Sequence, residues 1–417
     1  MGPMNDGIED PKGSATESRD LRSGETVWSR YPSAPPASMR LRASMKVDVV
    51  VVGAGVTGAL VSQALSARGL TTLVIDRRGP ARGSTAASTA LIQFEIDTPL
   101  IELADTIGME RAGRAWKASY RAVDMLSQLI SAQHIDCSFR ARRSLYLPGN
   151  SLDEKGLAEE ARARQSVGLP STLLSKERLA SMAAIDKPAA ILSDGVADIN
   201  PVQLTLGLLQ RAIAQGCRLL APVQLAEVVP SSRKVAMATS DGLEIEAKAL
   251  VFATGYELAH GVPIDGHRRT STWAFATKPQ PGEIWGHGEL IWEAAEPYLY
   301  IRTTPDGRVV VGGEDERIDD DRQRDRLLPQ KIEALQRKTK ALLPFIDTAA
   351  DCAWAGTFGE SDSGLPTIGA VPDMPNCYAV LGYGGNGITF AMLASQIVSG
   401  LICGEAPADA DLFAFGA

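Results

Sequence analysis

An apolar strand that leads directly into a glycine-rich turn and a helix constrains this chain most. Val47–Val52 is an almost unbroken run of valines, which is typical of a strand buried on both faces of a parallel sheet. Gly53–Gly58 has the pattern GxGxxG, and the residues that follow, to Arg68, have the spacing of a helix. A second predicted strand at 71–75 ends at Asp76. This order of elements is the fingerprint of a dinucleotide-binding unit.

Each glycine of the first turn has its own geometric role. Gly53 allows the tight turn, Gly55 lets a pyrophosphate approach the backbone, and Gly58 permits close packing of helix on strand. The helix N-terminus faces the phosphates, and Asp76 can accept hydrogen bonds from a ribose diol. A tight turn without any ligand is the alternative interpretation. The predicted cofactor-binding residues of this unit are Gly53, Gly55, Val56, Thr57, Gly58, Asp76, Arg77 and Arg78.

Two further glycine-rich turns contain residues that suit the same ligand. The turn at 83–88 has small hydroxyl side chains for a phosphate or a flat ring, although a helix cap would use the same residues. The turn at 382–389 opens the last predicted helix, whose N-terminal dipole favours negative charge on a rigid ligand. A helix start packed against another backbone would also explain it. The predicted contacts are Ser84, Thr85, Ala86, Ser88, Gly384, Gly385, Asn386, Gly387, Ile388 and Thr389.

Composition limits the class of protein. The 417 residues are 45% hydrophobic and 22% charged, with a net charge of −8, so a nucleic-acid or anionic-membrane partner is not expected. The five cysteines form no CxxC pair, so no disulfide framework and no metal site are predicted. No apolar signal segment is recognised, and glycines interrupt the most apolar run. We therefore expect a cytoplasmic protein that does not enter a membrane.

The predicted elements alternate between strands and helices around the first unit, which indicates an α/β protein. Residues 1–45 are rich in Ser, Pro, Gly and charge, and are predicted to form a tail that is disordered or lies over the surface. Helices are predicted at 99–135, 154–167, 176–182, 203–215, 330–343 and 389–402. Strands are predicted at 144–147, 218–221, 223–229, 235–239, 249–253 and 376–381. The strand-rich, aromatic segment 268–313 is expected to belong to a separate antiparallel sheet.

In this order the motifs resemble the FAD-dependent D-amino acid oxidase (DAO) superfamily, which includes relatives of glycine oxidase, sarcosine oxidase and γ-glutamylputrescine oxidase. The resemblance covers most of residues 46–417. Besides the three turns, it includes a strand that ends in Ala253-Thr254-Gly255 and a DGLPxIG-like stretch at 362–369. The leader at 28–36 and the segment 298–308 resemble the γ-glutamylputrescine oxidase branch.

The resemblance implies an α/β (α+β) fold with two interleaved domains. A Rossmann-like FAD-binding domain is expected at 46–100, 191–267 and 346–417, and an antiparallel-sheet substrate-binding domain at 101–190 and 268–345. Val223, Ala253, Thr254 and Gly255 are the further FAD contacts that it implies. FAD is expected to be bound non-covalently, because Ala86-Ala87 replaces the Trp-His pair through which some relatives attach it. Cys352 is out of register with the cysteine that other relatives use.

The implied reaction is oxidation of a C–N bond of an amine or amino acid: hydride passes to flavin N5, and the imine then hydrolyses. The catalytic candidates are Tyr300, Arg302, Thr304 and Tyr383. Thr304 stands where amino acid oxidases of the family carry a carboxylate-binding arginine. Arg302 could bind a carboxylate from the same strand; otherwise the substrate is an amine. Val310 stands where several oxidases carry a lysine that helps O2 react, so O2 and another electron acceptor both stay open.

Other residues are candidates for the substrate pocket. Trp273, Phe275 and Tyr298 could wall it together with Tyr300 and Tyr383. Residues 93–95 follow the second turn and are expected near the flavin, where Glu95 is a candidate contact for a second amine of a polyamine-like substrate.

Two alternatives from other classes remain. An NAD(P)-linked dehydrogenase would use the same first turn, with Arg77 and Arg78 favouring NADP, but it leaves the other two turns unexplained. The other alternative is a non-catalytic, FAD-holding subunit of a larger complex.

Overall fold

The structure is a computed structural model that describes residues 13–39, 43–282 and 284–417. Its strands are β1 (Arg22–Gly24), β2 (Met45–Val52), β3 (Thr72–Ile75), β4 (Leu91–Ile92), β5 (Arg140–Pro148), β6 (Ser171–Ser175), β7 (Ala189–Asp198), β8 (Arg218–Leu220), β9 (Leu225–Pro230), β10 (Val235–Thr239), β11 (Glu244–Phe252), β12 (His267–Thr277), β13 (Leu290–Ala294), β14 (Leu299–Thr303), β15 (Val309–Glu316), β16 (Ala350–Ser361), β17 (Thr367–Ala370) and β18 (Cys377–Leu381). Its helices are α1 (Val56–Ala67), α2 (Leu100–Ile107), α3 (Met109–Ala132), α4 (Glu154–Ser166), α5 (Lys176–Ala183), α6 (Pro201–Ala214), α7 (Asp321–Leu342) and α8 (Gly387–Ile402).

The smaller sheet contains the predicted dinucleotide-binding unit. Its parallel strands run in the order β18-β11-β2-β3-β8, with β17 antiparallel at one edge and the β9–β10 hairpin extending from β11. Helix α1 consists largely of small and apolar residues, nearly all of them buried, and packs against α6 and α8. Helices that cover a parallel sheet bury its apolar strands, as the valines of β2 require. The predicted α/β fold is confirmed.

The larger sheet is predominantly antiparallel. Its strands run in the order β1-β16-β12-β15-β14-β13-β5-β7-β4, with β6 added beside β7, and β5 and β13 are a parallel pair within it. Helix α7 packs on β12, β15 and β16. Strands β7 and β16 belong to this sheet, although the predicted FAD-binding segments 191–267 and 346–417 included them. The chain therefore passes between the sheets at residues other than the predicted boundaries.

The N-terminal leader is ordered over the described residues 13–39, so of the two predicted alternatives, a disordered tail and a tail that lies over the surface, the first is wrong there. Strand β1 pairs with β16, and the short turn Val27–Arg30 buries Val27 completely. Trp28 is 4% exposed, and its Nε1 donates to the Ser88 carbonyl over 2.7 Å. The pairing of β1 with β16 and the buried Trp28 side chain hold the leader in place, although its local composition does not predict order. The rest of the predicted tail, at 1–12 and 40–42, lies outside the described residues.

Two predicted helices have different bounds in the structure. The predicted helix at 99–135 is two helices, because Gly108 adopts a positive φ of +83° and separates α2 from α3. Helix α7 begins nine residues before the predicted start at 330, because Asp320 caps it by accepting hydrogen bonds from the amides of Arg322 and Gln323. Pro329 lies inside that helix and does not end it.

One helical stretch of the described chain, Gly384–Ile402, is long and apolar enough to cross a membrane. Its most apolar window is 72% buried inside the protein, where it includes α8. Core helices of soluble proteins meet the same criteria of length and composition.

We expect Trp28→Ala to destabilise the protein by about 3–5 kcal/mol, because it empties a buried site and removes the hydrogen bond to Ser88. Equilibrium denaturation in urea measures the change. Met39→Ala, at a position 39% exposed in the same leader, is the control and should change stability by less than about 1 kcal/mol. Equal stability of the two variants would contradict the anchoring role of Trp28.

Candidate active site

A large cavity is lined by all three glycine-rich turns and by residues of both sheets. Every predicted cofactor-binding and catalytic residue lies in its lining except Gly58, Ala86, Thr389, Arg302 and Thr304. The three turns are far apart in the sequence, and the fold brings them together at one place.

The first turn depends on backbone contacts that only glycine permits. Gly53 has a φ of +109°, and a Cβ there would lie 2.3 Å from the Ala253 carbonyl oxygen. A Cβ on Gly58 would lie 1.8 Å from the Gly53 carbonyl oxygen, so Gly58 seats α1 on the turn and does not line the cavity. Gly53 also donates its amide to the Ile75 carbonyl over 2.8 Å. These contacts fix where α1 begins and leave its first amides facing the cavity.

The second turn is attached to the first by a side chain. Thr85 Oγ1 accepts a hydrogen bond from the Val56 amide over 3.0 Å, next to Gly55. Trp354 of β16 donates its Nε1 to the Ala87 carbonyl over 2.8 Å, which ties the turn to the larger sheet. Ala86 is buried and does not line the cavity, whereas Ser84, Thr85 and Ser88 do.

The third turn holds the segment that follows the second. Asn386 Nδ2 donates to the carbonyls of Gln93 and Glu95, and Thr389 Oγ1 donates to that of Gln93 over 2.8 Å. The Gly385 amide donates to Asp97 Oδ2 over 2.5 Å. Thr389 does not line the cavity, but it fixes the backbone of Gln93, which does.

The end of the cavity that contains Asp76, Arg77, Arg78, Val223 and Glu257 is called the nucleotide end. Asp76 Oδ2 accepts from the Ala54 amide, and its Oδ1 from the amides of Arg78 and Gly79, each over 2.7 Å. Three backbone donors therefore fix this carboxylate where a ribose would be expected.

Arg77 and Arg78 of the nucleotide end both form ion pairs with Glu257. Arg77 Nη2 lies 2.6 Å from Glu257 Oε1, and Arg78 Nη1 donates to Glu257 Oε2 over 2.6 Å. Although burial opposes ionisation, the Arg78 and Arg77 guanidiniums hold the pKa of Glu257 below its ordinary value. Because both arginines already share a carboxylate, a preference for the extra phosphate of NADP has little support.

Val223 lies in the lining before β9, which begins at Leu225 and not at 223 as predicted. Its amide donates to the Asp76 carbonyl over 2.8 Å. That amide is therefore already used, which leaves its carbonyl and side chain for the predicted adenine contact.

Arg302 and Thr304 are placed outside the cavity. Arg302 is 1% exposed, and its Nη1 donates to the carbonyls of Ala90 and Ile199 over 2.8 Å each. Its Nη2 lies 3.5 Å from buried Asp198, and its Cζ lies 5.5 Å from the centre of the Trp28 ring. Thr304 donates to Asp306 within a tight turn. The carboxylate contact considered for Arg302 is not supported, because its donors are committed to the protein's own backbone and to Asp198. Thr304, a catalytic candidate by its position, does not line the cavity.

The opposite end of the cavity is called the aromatic end and consists of Glu95, Asp97, Trp292, Tyr298 and Tyr300. Asp97 is exposed within the open cavity, yet desolvation by the surrounding protein raises the pKa of its carboxyl to about 6, against the opposing effect of its hydrogen bond from Gly385. Burial also raises the pKa of the Tyr300 hydroxyl above its ordinary value, so this group stays protonated at neutral pH.

Of the other predicted wall residues, Tyr383 lines the cavity and Trp273 and Phe275 do not. Both of these belong to the apolar core of the larger sheet. Phe94 is likewise fully buried against Trp116 and Tyr120.

Sequence reasoning missed several lining residues. Tyr256 and Glu257 directly follow the predicted Ala253-Thr254-Gly255 motif, so their position next to it was an available signal. Trp292 lies within the aromatic segment predicted for the second sheet, and strand alternation alone does not show which face is buried. Thr16 and Leu21 come from the leader, where no local pattern indicates a site.

The residues of the cavity fit an FAD molecule. Ser84 Oγ, Gln93 Nε2 and Arg77 Nη1 are buried polar atoms without a hydrogen-bond partner among residues 13–39, 43–282 and 284–417, and all three residues line the cavity. Buried polar atoms of this kind are normally satisfied, so they indicate a polar ligand. Gly53 and Gly55 leave the backbone of the first turn bare on that side, as a pyrophosphate requires.

Fold and site together define a dinucleotide-dependent oxidoreductase with a second, aromatic compartment. The family model described as "DAO: FAD dependent oxidoreductase" matches residues 48–401. The chain therefore belongs to this family and is an FAD-dependent oxidoreductase.

Known proteins of similar sequence and fold cover most of the chain. γ-Glutamylputrescine oxidoreductase of Escherichia coli is 23% identical over 387 residues, which cover 88% of this chain and 86% of that protein. Glycine oxidase of Bacillus licheniformis is 24% identical over 391 residues, covering 86% of this chain and 94% of that protein. The solved structure of L-proline dehydrogenase from P. horikoshii has the same fold, with a TM-score of 0.75 at 18% identity over 89% of this chain and 97% of that chain.

We expect Gly58→Ala to lower the amount of bound FAD and to destabilise the protein by roughly 1–3 kcal/mol, because the new Cβ displaces α1 from the first turn. The ratio of flavin to protein absorbance, with urea denaturation, measures both effects. Gly282→Ala is the control, since a Cβ there meets nothing within 4 Å. A Gly58→Ala protein with a full complement of FAD would contradict the role assigned to this contact.

For Arg302→Met we expect a loss of about 3 kcal/mol or more of stability, because buried carbonyls and Asp198 lose a donor. Substrate preference should not change in the folded variant. Arg268→Met, whose arginine side chain is 36% exposed, is the control and should cost less than about 1 kcal/mol. If Arg302→Met kept normal stability but lost affinity only for substrates with a carboxylate, the result would show that Arg302 binds the substrate carboxylate.

Proposed function

We propose that the protein oxidises a C–N bond of an amine or an amino acid with FAD that it binds non-covalently. The single observation that carries the proposal is the convergence of three glycine-rich turns on a cavity that continues into the aromatic end. The names of the relatives support the substrate class, since one acts as a glycine oxidase and another on γ-glutamylputrescine.

FAD would supply the acceptor for the hydride that leaves the carbon next to the substrate nitrogen. The chain's own residues then have to position the substrate and exclude water. Tyr383 is held for this purpose, because its hydroxyl donates to the Val380 carbonyl over 3.1 Å and its ring meets Tyr256 edge-on at 5.9 Å. Tyr300 lies with its hydroxyl 3.2 Å from Thr272 Oγ1. Loss of hydride from the carbon next to a neutral amine nitrogen needs no strong base. The protonated tyrosines that line the cavity are not bases, which agrees with this reaction.

Two features support non-covalent binding of FAD. The alanines at 86 and 87 offer no nucleophile in the second turn. Cys352 does not line the cavity, and burial raises the pKa of its thiol to about 11, so it is a poor nucleophile. We also infer a cytoplasmic location, which the five free cysteines support because reducing compartments preserve thiols.

We expect the purified protein to be yellow, to release FAD on denaturation, and to lose its absorbance near 450 nm when mixed with a substrate in the absence of air. A panel of primary amines, secondary amines and amino acids identifies the class of substrate. Admission of O2 with detection of H2O2 then separates an oxidase from a dehydrogenase. A protein that retains FAD but is bleached by no compound would instead be the non-catalytic subunit.

A further inference from the structure

The aromatic end of the cavity carries an excess of negative charge. Glu95 and Asp97 line it, and Glu160 lies behind Glu95 in the buried layer. A single guanidinium, that of Arg164, opposes these three carboxylates, and it is fully buried and does not line the cavity. Its Nε donates to Glu160 Oε1 over 2.7 Å, whereas its Nη1 is 3.8 Å from Glu95 Oε1. Arg164 therefore pairs mainly with Glu160; its Nη1 and Nη2 have no hydrogen-bond partner among the described residues, and its guanidinium lies over the rings of Trp116 and Tyr146.

Glu95 is consequently left with an unsatisfied carboxylate oxygen. The residue is 2% exposed, its Oε1 accepts a hydrogen bond from Ser144, and its Oε2 has no partner among the residues that the structure describes. The buried Nε1 of Trp292 likewise has no partner in the described part of the chain, and its ring stacks on Tyr146 at 3.8 Å. Buried carboxylate oxygens that lack a donor are costly unless a ligand supplies one.

The cationic side chains that line the described cavity are Arg77, Arg78 and Arg82, which stand in or next to the nucleotide end. The aromatic end therefore has carboxylates and aromatic faces for a cation, and no guanidinium in its lining for a substrate carboxylate. Two carboxylates, that of Asp315 and with a smaller effect that of Asp97, lie close enough to Tyr298 and Tyr300 to raise the pKa of their hydroxyls. This arrangement favours a positively charged ligand.

We propose that the substrate is a diamine or polyamine whose second, protonated nitrogen binds Glu95 and Asp97. This inference rests on the proposed function. The reacting nitrogen must be neutral when hydride leaves its carbon, so it cannot supply the positive charge that the carboxylates require. A second ammonium group supplies that charge and also provides N–H donors for Glu95 Oε2.

The reaction balances without any further reactant in the oxidation step. With FAD bound, the group R–CH2–NH2 would give up a hydride from carbon to the flavin and a proton from nitrogen to water, which would give R–CH=NH. Water then adds to the imine and ammonia leaves, which gives the aldehyde R–CHO. The second ammonium group in R takes no part in these steps and only positions the chain.

The test compares three four-carbon probes and one amino acid on the FAD-loaded protein. They are 1,4-diaminobutane, butylamine, 4-aminobutanoate and alanine. Binding is measured by the change that each probe causes in the oxidised flavin spectrum, and reduction by anaerobic bleaching. We expect the diamine to bind roughly 10- to 100-fold more tightly than butylamine, as an added charged hydrogen bond permits. 4-Aminobutanoate should bind more weakly than butylamine, because its carboxylate would face Glu95 and Asp97.

Variants assign the preference to the two carboxylates. Glu95→Gln and Asp97→Asn should each bring the dissociation constants of diamine and butylamine within about threefold of each other. Glu102→Gln, an exposed acidic position on neighbouring α2, is the matched control and should keep the wild-type preference. If Glu95→Gln loses FAD because Arg164 is left unbalanced, Asp97→Asn decides the test.

The two proposals fail in different ways. Butylamine or an amino acid bound as tightly as the diamine by the wild-type protein would overturn the diamine inference, even if that compound is oxidised. If the protein bound the diamine selectively but no compound bleached its flavin, the proposed oxidation would be wrong. The proposed diamine-binding site would still be supported.

Discussion

The contact between Gly58 and the Gly53 carbonyl is the constraint on which the rest of the site depends. It allows α1 to begin immediately after β2, with its first amides free. Thr85 then binds one of those amides, which places the second turn, and the third turn holds the segment that follows the second. Residues from three distant parts of the sequence are thus positioned in succession from one close backbone approach. A side chain as small as a methyl group at position 58 would disturb this whole series.

The sequence predicts best what is determined locally. The β2–α1 unit and the glycine turns are recognisable because strand burial, helix spacing and positive φ angles leave a signal in neighbouring residues. The leader lacks such a signal, since its order comes from pairing with β16 and from Trp28, whose partners lie elsewhere in the chain. Asp320 in front of α7 has the residue type of a helix cap, but the predicted helix began only at 330.

In the candidate site, too, some features are predicted by the local sequence and others depend on residues far away in the chain. The turns that line the cavity could be named from their residues, whereas the partners of each arginine could not. Arg302 has the residue type of a carboxylate ligand, yet carbonyls of Ala90 and Ile199 take its donors. Arg77 and Arg78 share Glu257, which is adjacent to a predicted motif but was not recognised. Charge balance in a buried site depends on which side chains meet there, and a single sequence does not show which residues become neighbours.

The pairing of β1 with β16 also sets an order of assembly. The leader leaves the ribosome before Ala350–Ser361, its partner strand, so it cannot dock until that distant strand has been synthesised. Since Thr16 and Leu21 of the leader line the cavity, the compartment stays open on that side until β16 is available for pairing.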